Sequence, residues 1–388
     1  MIVYKGTPIP FSDFQVAVNH AFYSVIKDNL SLSFTTYVES DDKTAMANAI
    51  EFQELFSGDT SVLEQGVGHG MFTRQFLRFL EHKRSSIEYF ALDISQYLLD
   101  ELGKSLEGYS LHTLCQDVEE ISIDREIDYA RFNEVWDDLR TDHYWIRDGE
   151  IYEIMATPKM YGKDTCYMSD KGLVEILKGI LPYEEGVAGF GWDISFRKVF
   201  SYDLTGPYQD RFTFEYLNEL KEKYPNKELY VPINTGAVKN LKLLIEMLSP
   251  RGIIDAYDYG FIDESIMVGP DERRLTTNSG YRGQITSPVN FHYISQKINC
   301  EIELQRDYIG RVLGKEFIEL DSLLSLCPTK EYLFEGEKSK AMRNVTDIIN
   351  RNNNTNYSDS IGQFVEVAHI MGSSKDLLAA GIEIEKDL

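Results

Sequence analysis

An α/β fold, with a doubly wound, mostly parallel sheet and helices on both faces, is predicted from three observations. Strand and helix signals alternate along much of the 388-residue chain, one strand runs straight into a glycine-rich turn that opens a helix, and several strands end in an acidic residue. The first strand of the series, Ser61–Gln65, follows a turn at Gly58-Asp59 and leads into Gly66-Val67-Gly68-His69-Gly70. The helix after it carries Phe72, Phe76, Leu77 and Leu80 on one face and Arg74, Arg78 and Lys83 on the other. Ile87–Leu92 ends at Asp93, Leu111–Leu114 leads to Gln116-Asp117, and Ile127–Phe132 leads to Asn133-Glu134. Val238, Leu241, Ile245 and Leu248 mark a later helix face, and Ile253–Tyr257 is a strand that runs into Asp258-Tyr259-Gly260.

Segments of a different character surround these elements. Residues 1–57 read as an N-terminal helical segment. Ser12 is placed to cap a helix in which Phe14, Val18, Phe22 and Val25 recur at spacings near four, and a second helix covers about Lys43 to Phe56. The core occupies residues 58–140 and resumes over 226–388. Between Asn133 and Gly252 lies too much chain for one crossover, so residues 141–225 are expected to form an insertion on the carboxyl edge of the sheet. Asn350–Asn356 reads as a loop.

Composition narrows the function classes. Acidic residues outnumber basic ones 63 to 39, a net charge of −24, and basic residues are scattered, the densest group (Lys338–Arg343) lying among glutamates. A nucleic-acid partner, which needs clustered Lys and Arg, is therefore disfavoured. No apolar run approaches the ~18 residues of a membrane span, and the opening Met1–Gly6 lacks the features of a secretory signal. Cys115, Cys166, Cys300 and Cys327 lie too far apart for a disulfide framework or a zinc site. The expectation is a cytoplasmic protein with no metal and no membrane partner; no pattern specifies its oligomeric state.

The glycine turn is the most informative stretch. Glycines between a strand and a helix let the backbone turn sharply and a ligand approach the bare peptide. A dinucleotide fingerprint, G-x-G-x-x-G, would need glycine where Met71 stands, and no G-K-[ST] follows for a phosphate loop. Glu64-x-Gly66-x-Gly68-x-Gly70 instead suits a ligand without a pyrophosphate, whose methionine-type tail lies across the glycines with its ammonium near acceptors such as Glu64. Asp93, 25 residues beyond Gly68, is placed to accept hydrogen bonds from a ribose diol; a helix cap is its alternative role. Asp117, after the third strand, is placed to accept from an adenine amino group, or is an ordinary loop aspartate.

Together these features resemble a class I S-adenosylmethionine-dependent methyltransferase, and within that class the MidA-like family, whose mitochondrial members help assemble respiratory complex I. The resemblance rests on Ile9–Phe14, on Asn133-Glu134-Val135-Trp136-Asp137-Asp138-Leu139 against N-E-x-x-D-A-L-P, and on Asp258-Tyr259-Gly260. It extends to Ile285–Phe291 against I-T-A-H-V-D-F, to Gln305–Gly314 and to Met371-Gly372. It implies a Rossmann-like sheet of seven strands with an inserted lid, S-adenosyl-L-methionine as cofactor, and a methyl acceptor that in mitochondrial members is a protein arginine. Arg140 replaces a proline of the pattern, Gln284 and Pro288 replace its Asp and His, and Asn234-Thr235 stands where a glutamate is usual.

In such a fold the residues after the fourth strand face the reacting methyl group. Glu134 is expected to bind a guanidinium bidentately or to take a proton from an amine or hydroxyl, with Asn133 and Asp137 assisting. The alternative is a helix start that Asn133 caps and the carboxylates complement. His69, His143 and His292 are weaker candidates, and Tyr257 and Tyr259 read more readily as core. Three functions fit: a methyltransferase acting on a protein or peptide nitrogen, an N- or O-methyltransferase of small molecules or natural products, and an assembly factor that binds the cofactor without turnover.

Overall fold

The computed structural model describes residues 2–26, 42–162, 187–200, 211–269, 285–298, 300–314, 316–317, 357–358 and 365–371. In chain order its elements are β1 (Ile2–Lys5), β2 (Ile9–Pro10), α1 (Phe11–Ile26), α2 (Asp42–Leu55), β3 (Thr60–Gln65), α3 (Met71–Phe79), β4 (Ile87–Asp93), α4 (Gln96–Ser105), β5 (Ser110–Cys115) and β6 (Ile127–Asn133). Then come β7 (Asp142–Arg147), β8 (Glu150–Gly162), β9 (Val187–Lys198), α5 (Arg211–Lys223), β10 (Leu229–Ile233), α6 (Thr235–Met247) and β11 (Leu248–Phe261). The last are β12 (Val289–Asn290), α7 (Phe291–Lys297), β13 (Glu301–Leu304), α8 (Gln305–Leu313), β14 (Glu316–Phe317), β15 (Tyr357–Ser358) and β16 (Val365–Met371).

The main sheet runs β5-β4-β3-β6-β11-β16-β13, with β12 beside β11. Every pairing from β5 to β11 is parallel, and β16 is antiparallel to both its neighbours. This is the seven-stranded, mostly parallel arrangement expected of a class I methyltransferase fold. Successive residues of β3 feed opposite cores: Val62 packs in the cluster of Phe52, Phe76 and Leu99, and Leu63 in that of Phe132, Leu241 and Ile254. Helices α2, α3 and α4 thus cover one face and α5 and α6 the other. Strands enclosed on both faces are apolar at nearly every position, which is why these runs stand out.

A second, antiparallel sheet runs β1-β8-β7-β10, with β2 and β9 also paired to β8. It departs from the expected layout at both ends. Ile2–Lys5 and Ile9–Pro10 are strands, not helix, because the edge of β8 offers them partners at Lys159–Tyr161 and Met155–Ala156. Pro10 favours an extended residue before it, and β2 delivers the chain straight into α1 at Phe11, so Ser12 lies buried in the first turn instead of capping it. At the other end, β10 pairs with β7 across Leu229–Ile233, beyond residue 225. No helix of the described residues is long and apolar enough to cross a membrane. Lys338–Arg343, Asn350–Asn356, Cys166, Cys327 and Gln284 lie outside the described residues.

At Gly260, β11 meets β12 in parallel register with Val289. A Cβ there would strike the Val289 carbonyl and the Phe291 ring. Gly260→Ala should therefore lower unfolding free energy by about 1–3 kcal/mol, the range for overpacking a filled site, as read by urea denaturation.

Candidate active site

The loops that leave the carboxyl ends of β5, β4, β3, β6 and β11 gather the conspicuous polar residues. After β3 the chain turns through Gly66, Gly68 and Gly70, with φ of 64°, 50° and 64°. At Gly66 a side chain would be strained and would also meet Val135 Cγ2, at 2.7 Å from its Cβ; at Gly70 it would strike Leu102. The turn is held from beside it: Gly66 and Val67 donate N–H to the Leu92 carbonyl at 2.8 and 3.2 Å, and Gly70 donates to Val67 at 2.7 Å. No side chain caps α3, which opens directly at the turn.

Asp93 ends β4 and reaches back to this turn. Its Oδ2 accepts from Gly68 N at 3.0 Å and its Oδ1 from Ser95 N at 2.9 Å. The cap of α4 is Ser95, whose hydroxyl accepts from Leu98 N, so Asp93 is not that helix's N-cap. Burial pushes its carboxyl up to about 6, against the lowering pull of these N–H donors. Asp117, half-buried after β5, accepts from Glu119 N at 2.8 Å and lies 3.7 Å from His20 of α1.

Glu64 is placed differently from the expectation of an acceptor open to a ligand. It is buried, and its carboxylate already accepts from Thr73 Oγ1 at 2.6 Å, Tyr89 OH at 2.5 Å and Arg131 Nη1 at 2.9 Å. Arg131 is wholly enclosed, its guanidinium 3.1 Å from the Phe72 ring centroid. Glu64, Arg131 and Asp255 are directly paired across β3, β6 and β11, and Asp255 accepts from Tyr129 OH at 2.7 Å. Arg131 and Asp255 are site residues that the sequence reading misses; charged residues inside otherwise apolar strands are the signal that marks them.

After β6 the chain makes an abrupt turn. Glu134 takes φ 50°, with its N–H donated to the Tyr257 carbonyl at 2.8 Å. Asn133 Nδ2 reaches toward Glu134 Oε1 at 3.5 Å. The single 3₁₀ turn that follows, Trp136–Asp138, has no side-chain cap from Asn133. Asp258 supplies that function from β11: its Oδ2 accepts from Trp136 N at 2.8 Å and Asp137 N at 3.1 Å, and its Oδ1 from Tyr259 N at 2.7 Å. Burial pushes Asp258 to about 8, and burial together with the charge of Asp258 raises Asp137 well above the carboxylate range. Asp137 is thus suited to donate a proton or stay neutral more than to act as a base. Val135, packed on Gly66, brings this turn against the glycine loop.

Helix α1 closes the assembly through two buried amides. Gln15 donates to the Asp137 and Ile285 carbonyls and accepts from Thr141 N; Asn19 donates to the Asp138 and Ile285 carbonyls and accepts from Ile285 N. Arg140 pairs with Asp13 of α1 at 2.6 Å and lies 3.6 Å from Asp142. Asn234 is fully buried, donating to Thr141 Oγ1 and the Pro288 carbonyl and accepting from Asn290 N. His143 is also enclosed, 3.1 Å from Ser287 Oγ, and burial pushes its pKa down to about 3, leaving a neutral ring. Tyr257 is core, bonded to Asn48.

Sequence comparison finds no matching family model and no matching curated protein. Structural comparison finds two crystal structures of COG1565 superfamily proteins from Burkholderia thailandensis, each with a TM-score of 0.54 and 15% identity. The alignment covers 94% of this chain and 87% or 88% of theirs, and one of the two is bound to S-adenosyl-homocysteine. At this identity the likeness establishes a shared fold over nearly the whole chain.

The buried pair has a testable cost. Glu64→Gln keeps the shape but leaves the enclosed Arg131 without its nearest counter-charge. Unfolding free energy should drop by about 3 kcal/mol, the lower end for breaking a buried pair, in chemical denaturation; a loss under about 1 kcal/mol would assign the charge balance elsewhere.

Proposed function

We propose that this chain is an S-adenosylmethionine-dependent methyltransferase acting on a side-chain nitrogen of a protein or peptide, with arginine the acceptor that the family resemblance favours. The observation that carries the reading is the left-handed glycine turn at the end of β3, with Asp93 holding Gly68 from the neighbouring strand. These residues fit the cofactor. Backbone without side chains lies where an amino-acid tail would approach, and the Asp93 carboxyl, held by the N–H groups of Ser95, Gly68 and Ile94, keeps acceptor capacity for a ribose hydroxyl. Gly66, Gly68, Gly70 and Asp93 would hold it, Asp117 lying further along the sheet toward the base, and Glu64 acting through Arg131 and Thr73 on the start of α3.

When bound, the cofactor supplies a methyl group on a sulfonium, ready for displacement. The protein's part is to align an acceptor lone pair and manage charge. Glu134, on the turn packed against Gly66 through Val135, is suited to hold a guanidinium bidentately or to take its proton. Asp137, raised by burial, is suited to share a proton with Asp258 instead of acting as the base. The carboxyl groups gathered at this turn, Glu134, Asp137 and Asp138, suit a cationic acceptor better than an anionic one. Transfer from labelled cofactor into separated protein and small-molecule fractions of a lysate tests the reading. Label in protein supports it, label only in small molecules moves the acceptor class, and binding without transfer would favour an assembly factor.

Three outcomes are expected. Asp93→Ala should weaken cofactor binding in calorimetry by about 1.5–3 kcal/mol, and stability should fall as well, because Gly68 and Ser95 lose their acceptor in a buried place.

A diol donates better to a carboxylate than to a carboxylic acid, so affinity should fall as pH drops below about 6, where Asp93 takes up its proton. The slope should approach tenfold per unit and disappear in Asp93→Asn. Stability runs the opposite way. The raised carboxyl favours the fold most below its unfolded value and loses that contribution as pH rises through about 6.

Glu134→Gln should reduce turnover by about 10²-fold or more with cofactor affinity near normal. Steady-state rates beside calorimetry separate this from a cofactor-pocket role, which would lower both.

A further inference from the structure

Glu134 is in a backbone conformation that a glutamate does not choose. The left-handed region is unfavourable for a non-glycine residue, and here the residue carries the carboxylate assigned to the acceptor, at φ 50°. Such a conformation persists only where the surroundings impose it. The turn is fixed at three of its backbone N–H groups: Glu134 donates to the Tyr257 carbonyl, and Trp136 and Asp137 both donate to Asp258 Oδ2. Asp258 is fully buried and held in turn by Tyr259 N. It sits one residue beyond Tyr257, which is in register with Asn133 on the adjacent strand. One side chain on β11 therefore grips the turn just past the strained residue, while β11's own backbone grips the strained residue itself.

We propose that Asp258 is a positioning residue, a clamp that holds Glu134 in its left-handed conformation and so aims its carboxylate. The role of the aimed carboxylate rests on the methyl-transfer reading; the clamp does not, and the two are tested separately.

The clamp is read from stability alone. Glycine prefers the left-handed region, so Glu134→Gly should raise the thermal unfolding midpoint of the wild-type chain. In an Asp258→Ala background, where no side-chain oxygen is left to accept from Trp136 N and Asp137 N, the turn relaxes. There Glu134→Gly should lower the midpoint, because only glycine's larger unfolded-state entropy remains. The same upward shift in both backgrounds, or a downward shift in the wild type, overturns the proposal. If Asp258→Ala does not fold, Asp258→Asn, whose single acceptor oxygen must serve the turn and Tyr259 N together, should shrink the upward shift, and an unchanged shift overturns the proposal.

The consequence is read from turnover. Asp258→Ala should lower kcat about as much as Glu134→Gln while cofactor affinity is retained, and the double variant should lose no more than either single one. Multiplying losses would make Asp258 a structural residue without influence on Glu134. A wild type that turns over nothing removes the methyl-transfer reading, and the sign of the stability change then decides the clamp.

Discussion

The enclosed guanidinium of Arg131 imposes the constraint from which the site's geometry follows. Its charge sits at the centre of the main sheet, met by Glu64 at 2.9 Å on one neighbouring strand, with Asp255 in register on the other. Buried ion pairs contribute little net stability over apolar residues of the same shape, yet breaking one is costly. Such a row therefore acts on arrangement more than on total stability. A slip of one residue in β6 would turn Arg131 to the opposite face, into the cluster of Leu63, Phe90 and Leu241, with no carboxylate in register. The register of β3, β6 and β11 is thereby fixed, and with it the relative heights of Gly66, Asn133 and Asp258 at the carboxyl edge.

Two regions that look separate along the chain, the glycine turn after β3 and the turn after β6, are one packed object. Val135 leaves no room for a side chain at Gly66, and Asp258 holds the Trp136–Asp138 turn from the next strand. Asp137 carries the contact onward through its carbonyl, which accepts from Ser287 N and from Gln15. Arg140, Asn234 and Pro288, which depart from the resembled pattern, fall in this layer and are accommodated there. Arg140 gains a partner on α1, and Asn234 joins the Pro288 carbonyl to Asn290.

Legibility in the sequence follows burial. Strands enclosed on both faces, such as β3, β4 and β6, have apolar runs and a punctuating glycine or aspartate, and their bounds are readable to within a residue or two. The second sheet is not, because its strands are joined by contacts distant in sequence, as when β1 and β2 pair with β8. One local sign is present: Asp148-Gly149, at φ of 51° and 73°, is the two-residue turn between β7 and β8. The glycine turn is legible because it is local to one strand-turn-helix unit, and Asp93 because it punctuates the end of the neighbouring strand. The burial of Glu64 is not legible, because its partner Arg131 lies 67 residues away. Asp258 stands in a recognised motif, but its part as a cap for a turn more than 120 residues earlier is a property of strand adjacency alone.

The amides of α1 carry a consequence for how the chain assembles. Asn19 and Gln15 make bonds to Ile285 that span 266 and 270 residues. Contacts of that separation form late, after the loops between them have closed. A ribosome that has already released the first helix must synthesise about 260 residues before the Ile285 half of its docking site appears, while the half at Asp137, Asp138 and Thr141 follows about 120 residues on. The newborn protein would thus own strands β3 to β6 while α1 is only half docked, the bonds of its two amides to Ile285 still unmade. Synthesis speed and chaperone access during that interval, more than equilibrium stability, would then govern how much active protein a cell recovers.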